Sequence, residues 1–199
     1  MRILIVGGSG TVGKAAAAEL GRRHEIIRAG RSSGDLTVDV MDEASVKAMY
    51  ARLGKVDAVV TCVGHVHFGP VATMTPEQFR KGLNDKLMGQ VNLVLLGMDN
   101  VNDNGSFTLT SGVLDRDPVR AGANAAAVNG AIGAFVRGAA IEMPRGIRIN
   151  AVSPGLLEDS VVKYDGFFPG HEPVSAARVG LAYAKSVDGA LTGQVICVG

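Results

Sequence analysis

The stretch "G-G-S-G-T-V-G", residues 7–13, is built to hold an anion. It follows the apolar run "I-L-I-V" (Ile3–Val6) and opens a helix candidate at Val12. Read as G-x-x-G-x-x-G it uses Gly7, Gly10 and Gly13, with Ser9 and Thr11 between them. Glycines at this spacing allow a tight turn and a close backbone approach to a pyrophosphate, and the free N–H groups of a helix N-terminus favour negative charge. The other reading is a glycine turn that only packs helix on strand.

A second group of residues bears on which dinucleotide would bind. An NAD site of this kind carries a carboxylate at the end of the second strand, against the adenosine ribose. Here that end reads "I-I-R-A-G-R-S-S". Arg31 offers a forked, permanently charged donor array suited to a phosphate, and Ser32 and Ser33 add hydroxyl and N–H donors. The missing acid and the arginine favour NADP(H); a solvated surface arginine is the alternative. Asp39, in "V-D-V", has a carboxylate able to accept from an adenine amino group, or is a simple surface acid.

The elements that must position these residues are legible as short β-branched runs alternating with helix-like segments. Strands are expected at Ile3–Val6, Glu25–Ala29, Leu36–Val40, Ala58–Val63, Ser106–Thr110, Arg148–Val152 and Gln194–Val198. Helices are expected at Val12–Arg22, Glu43–Leu53, Pro76–Met98, Asn124–Glu142 and Ser175–Ser186. In the third helix "T-P-E-Q" places Thr75 at the N-cap, Pro76 at N1 and Gln78 at N3, a capping box. Phe79, Leu83, Leu87, Val91 and Leu95 then recur every four residues and predict one buried stripe. The alternation predicts an α/β, doubly wound sheet of seven mostly parallel strands with helices on both faces. Only "G-R-S-S-G-D" separates the second and third strands, too few residues for a helical crossover. A turn or extended loop is expected there.

With 199 residues, 47% hydrophobic and 20% charged, one globular domain with a substantial core is expected. A net charge of +1 gives no global field to recruit nucleic acid or an acidic membrane, so neither is expected as a partner. No apolar run approaches the ~18 residues of a membrane span, and the N-terminal run is too short for a signal peptide. Cys62 and Cys197 lie in apolar runs and are expected in the core of a cytoplasmic protein. No metal site is expected.

The chain resembles the short-chain dehydrogenase/reductase family over essentially its whole length. The matching segments, in order, are the glycine turn, "V-D-V", "C-V-G" (Cys62–Gly64), "L-T-S-G", "G-I-R-I-N-A-V-S-P-G" and "L-T-G-Q-V-I-C-V-G". The resemblance implies a Rossmann-type fold, a nicotinamide cofactor, hydride transfer at a carbonyl or alcohol carbon of a small-molecule substrate, and a homodimer or homotetramer. It adds Val40, Gly64, Pro154 and Gly155 to the cofactor-binding set. Residues 156–173 would form a short substrate cover, apolar through Tyr164, Phe167 and Phe168, and suited to a small carbonyl compound.

The family's catalytic set resembles serine, tyrosine and lysine with an asparagine upstream, the lysine charge lowering the tyrosine pKa from ~10. Carried over, the serine is Ser111. Matching "N-G-A-I" to the lysine-bearing segment puts Asn129 at the lysine and Ala125 at the tyrosine; a shift by one gives Asn124 and Val128. The upstream asparagine falls on Lys86. None of the chain's three tyrosines, Tyr50, Tyr164 and Tyr183, lies in this helix.

Two readings stay open. In one, an enzyme survives with altered proton transfer: Lys86 supplies charge toward Ala125 and Asn129, Ser111 holds the substrate oxygen, and protons arrive through water, Lys86, His65, Tyr164 or His171. In the other, the protein binds NADP(H) as a catalytically silent sensor or scaffold. The small-residue face of Gly130, Ala134 and Gly138 suits either close packing between subunits or packing on the chain's own sheet.

Overall fold

The computed structural model describes residues 1–199. Seven strands form one sheet in the order β3-β2-β1-β4-β5-β6-β7, every neighbouring pair parallel. They are β1 Arg2–Val6, β2 Glu25–Gly30, β3 Leu36–Thr37, β4 Val56–Thr61, β5 Val101–Thr110, β6 Arg148–Pro154 and β7 Val195–Val198. The helices are α1 Thr11–Leu20, α2 Glu43–Leu53, α3 Pro76–Gly82, α4 Gly89–Leu95, α5 Ala123–Ala140 and α6 Ala176–Asp188.

Alternation along the strands divides the core into two layers. Ile3, Ile5, Ala58 and Val60 pack with Ala16 and Leu20 of α1 and with Val179 and Tyr183 of α6. Leu4, Val6, Val59 and Phe107 face the other way, onto α2, α4 and α5 through Met49, Leu93, Ile132 and Val136. The strand order reverses between β1 and β4, and ligands of open α/β sheets bind at such a switch point, beyond the carboxyl ends of the strands.

The β2–β3 connection is a loop, as its length predicts. The third strand is shorter than expected, pairing only through Leu36 and Thr37, because its sole neighbour ends at Gly30. β5 begins five residues earlier than expected. The register with β4 shifts between Val56 and Ala58, and the polar run "N-D-N-G" that conceals the early start contains Asn104 at φ 61°. Cys197, expected in the core, is exposed: β7 is an edge strand with one neighbour.

The long helix expected over Pro76–Met98 is interrupted. α3 starts on the Thr75 capping box, with Thr75 Oγ1 and Gln78 bonded reciprocally. Leu83–Met88 then forms a π-helical turn before α4. A wider turn rotates everything after it relative to a regular α-helix. Beyond it the stripe holds at Val91, which is buried, but fails at Leu95, which is 59% exposed, while Leu93 and Val94, off the stripe, are buried.

Candidate active site

The glycine turn closes tightly at the end of β1. Gly7 has φ +83°, and a Cβ there would stand 2.5 Å from the Cys62 carbonyl oxygen. A Cβ on Gly13 would overlap the Gly7 carbonyl, so the first turn of α1 needs glycine to reach the strand. Gly10 is the N-cap; no side chain caps the helix, and no acid lies in its first turn. Uncapped N–H groups without a nearby carboxylate fit a pyrophosphate. Ser9 and Thr11 are exposed on the turn.

Arg31, Ser32 and Ser33 are exposed after β2. Arg31 Nη2 lies 3.7 Å from Asp39 Oδ1, a loose surface pair. Asp39 Oδ1 also accepts from the Met41 N–H. Val40 is buried, its side chain against Gly89 and its carbonyl accepting from Asn92 Nδ2. Arg28, which sequence reasoning passed over, lays its stem against Gly8; nothing distinguishes it from an ordinary strand arginine in the sequence. Uncapped amides, an exposed guanidinium and flanking hydroxyls are a donor set that fits a phosphorylated dinucleotide.

Lys86 rides on the π-helical turn and reaches across to β5 and α5. Its Nζ donates to the Ser111 carbonyl oxygen and to Asn129 Oδ1, each at 2.8 Å. Gly64, at φ +113°, makes this approach possible: a Cβ there would overlap Lys86 Cα. Burial pushes the Lys86 ammonium down to about 8, and the nearby Asp115 carboxylate partly opposes that shift. An ammonium has three N–H donors, so two bonds leave one proton uncommitted.

Ser111 follows β5, with its N–H bonded to the Val152 carbonyl oxygen. Its Oγ is buried and has no hydrogen-bond partner. The end of β5 is held by a buried network: Gln90 Oε1 accepts from the Thr110 N–H and the Thr61 hydroxyl, and Thr110 Oγ1 meets Tyr183 Oη. The family's tyrosine position, Ala125, and its lysine position, Asn129, both border the cleft. In the shifted register Asn124 is committed elsewhere, accepting from the His67 N–H and donating to the Phe79 carbonyl.

These groups line one cleft of about 540 Å³. It joins Gly10, Thr11, Gly64, Pro154 and Gly155 of the expected cofactor set to Lys86 and Ser111. Arg31, Ser32, Ser33, Asp39 and Val40 lie outside it. Leu157, Ser160, Lys163, Tyr164 and Phe168 close it from the cover. That segment stacks on Phe68, whose ring centroid is 6.0 Å from that of Tyr164 and 5.6 Å from that of Phe167. Of the tyrosines, Tyr50 bonds the Leu93 carbonyl and Tyr183 is wholly buried, its pKa raised by burial. Only Tyr164 reaches the cleft. His65 borders it too, whereas His171 Nε2 sits 3.1 Å from Asp117 Oδ2 and off the hydrogen-bond axis. The sequence carried no signal for Asp115, which comes near Lys86 only through the turn after β5.

Three comparisons bear on this arrangement. Residues 11–182 match the family model described as Enoyl-(Acyl carrier protein) reductase. The chain is 26% identical over 205 aligned residues to a (5R,7aS)-5-hydroxy-7a-methyl-1-oxo-2,3,5,6,7,7a-hexahydro-1H-indene-carboxyl-CoA reductase from Mycobacterium tuberculosis, spanning 94% of this chain and 76% of that protein. It is 52% identical to the protein lin1944 from Listeria innocua, whose crystal structure superposes with a TM-score of 0.98 over 100% of both chains. A small-chain dehydrogenase solved in complex with NADPH is 28% identical, with a TM-score of 0.87 over 100% of this chain and 96% of that one.

Proposed function

The chain belongs to the short-chain dehydrogenase/reductase family, and on that premise we propose that it is an NADP(H)-dependent oxidoreductase of a small carbonyl or alcohol substrate in which Lys86 transfers the proton. One observation carries this reading: the Lys86 ammonium, bonded to Ser111 O and Asn129 Oδ1, borders the cleft beside a buried Ser111 hydroxyl that has no partner. Family membership and the NADPH complex of a relative support the cofactor class. Arg31 with Ser32 and Ser33 is our reason for NADP(H) over NAD.

The bound dinucleotide supplies the hydride. Its pyrophosphate would rest on the N–H groups opening α1 beside Gly7, Gly10 and Gly13, with Ser9 and Thr11 at the turn and Gly64, Pro154 and Gly155 lining the nicotinamide side. Asp39 and Val40 would flank the adenine end. Ser111 Oγ–H donates to the substrate oxygen and orients the carbonyl. As the carbonyl carbon is reduced, its oxygen takes the uncommitted Nζ proton, leaving Lys86 as a neutral amine. The two remaining N–H groups stay on Ser111 O and Asn129 Oδ1, so the amine does not swing away. A general acid works best with a pKa near the working pH, and burial brings Lys86 to about 8.

The cover places Leu157, Tyr164 and Phe168 against the cleft, an apolar wall suited to a compact substrate. The test is a carbonyl screen following NADPH absorbance with wild type and Lys86→Met. Loss of turnover in the variant, with NADPH affinity retained, supports the assignment. NADPH binding with no turnover on any carbonyl favours the silent-subunit reading, to which Ala125 at the tyrosine position points.

A further inference from the structure

We infer that His65 and Asp85 form a proton relay between solvent and Lys86. The inference rests on the reading that Lys86 gives up a proton, which must then be replaced before the next turnover. His65 Nδ1 lies 2.8 Å from Asp85 Oδ2. The His65 side chain is 84% exposed while that of Asp85 is 19% exposed, so the pair spans from water to the protein wall. Asp85 directly precedes Lys86 on the π-helical turn. Gly64, directly before His65, packs on Lys86 so closely that a Cβ would stand 2.5 Å from Lys86 Cβ and 2.7 Å from Cγ. His65 and Lys86 thus enter the same cleft from abutting backbone segments.

The chemistry follows from that placement. With Nδ1–H donating to the Asp85 carboxylate, one ring nitrogen is anchored and Nε2 carries the lone pair. Nε2 takes a proton from solvent, and the resulting imidazolium is compensated by Asp85. It then passes a proton through cleft water to the neutral Lys86 amine, returning to its starting form. Only N–H and O–H bonds are made and broken, and nothing is oxidised or reduced. The other ionisable groups around the cleft are placed for different work: Asp115 acts on Lys86 from the turn after β5, burial pushes the Cys62 thiol up to about 11, and Lys163 and Tyr164 belong to the cover.

The test needs no substrate. In protein labelled with ¹⁵N-lysine, NMR reads the rate at which the Lys86 Nζ protons exchange with water. His65→Gln and His65→Ala should slow that exchange roughly tenfold or more, and free imidazole should restore it in His65→Ala. Unchanged exchange in both variants overturns the relay, as does slowing that imidazole fails to restore. If exchange follows His65 while Lys86→Met leaves carbonyl reduction intact, the relay stands and the catalytic role of Lys86 falls. If exchange ignores His65 while Lys86→Met abolishes reduction, only the relay falls.

Discussion

Lys86 Nζ donates to Asn129 Oδ1 at 2.8 Å, joining the π-helical turn to α5 at the residue that stands where the family resemblance expects a lysine. A positive charge reaches that point from the opposite helix. Asparagine is a neutral acceptor, so it orients the ammonium without adding the like charge that a lysine would bring. On the proposed reading, Lys86 supplies the proton that α5, with Ala125 and Asn129 at the expected tyrosine and lysine positions, cannot.

Lys86→Met should lower kcat for carbonyl reduction by about 10²–10⁴-fold, the usual contribution of a general acid. The affinity for NADPH should stay within a few-fold of wild type. Steady-state kinetics with calorimetry checks both; unchanged kcat removes Lys86 from the reaction.

The pH profile has a definite sign. Reduction needs the protonated lysine, so kcat should fall as pH rises through about 8. Alcohol oxidation needs the neutral amine and should rise over the same interval. Asp115 holds the Lys86 pKa up, so Asp115→Asn should move both limbs to lower pH. A limb that stays in place would exclude Lys86 as the titrating group.

Side-by-side titration with NADPH and NADH should show preference for NADPH. Arg31→Asp should weaken NADPH by about 1.5–3 kcal/mol, the worth of charge-assisted hydrogen bonds, with little loss for NADH. Equal affinities in the wild type would remove Arg31 as the discriminating residue.

Gly64→Ala places a methyl group on Lys86 and forces alanine into positive φ. The expected cost is roughly 2–4 kcal/mol by urea melt, from the backbone strain and the displaced π-helical turn together. A change under ~0.5 kcal/mol would mean that the turn moves freely, and with it Lys86.

The Gly130, Ala134 and Gly138 face of α5 offers close approach to a second helix, and a Cβ on Gly138 would meet nothing within 4 Å. Exposed Met88 ends the π-helical turn and exposed Leu95 ends α4. We expect a homodimer or homotetramer through this surface, dissociating in Gly138→Glu. Light scattering decides it; a monomeric wild type would leave the face without that role.

How far the site could be read in advance differs residue by residue. Gly7, Gly10 and Gly13 were legible because a tight turn, a close strand and an open helix end each demand glycine at a set spacing. Ser111 was reached only through the resemblance of "L-T-S-G" to the family's segment; nothing in the serine itself marked it. Asp85, Gln90 and Asp115 were not, since isolated polar residues on helices and turns give no sign of what they will face. The single stripe expected along Pro76–Met98 broke for one local reason: a π-helical turn changes the phase, and periodicity cannot report a change of period inside one helix.

The sequence by itself determined the layered α/β fold, because alternating apolar runs and amphipathic segments bury their faces in few other ways. It also determined that α5 carries neither the tyrosine nor the lysine. Only the tertiary structure decided which groups meet beside Asn129. The position of Lys86 Nζ depends on a π-helical turn, on Gly64 clearing its path, and on Ser111 and Asn129 meeting it from two other elements. Contacts of that kind join residues 22 to 43 positions apart, and they exist only once the sheet has brought the carboxyl ends of its strands together.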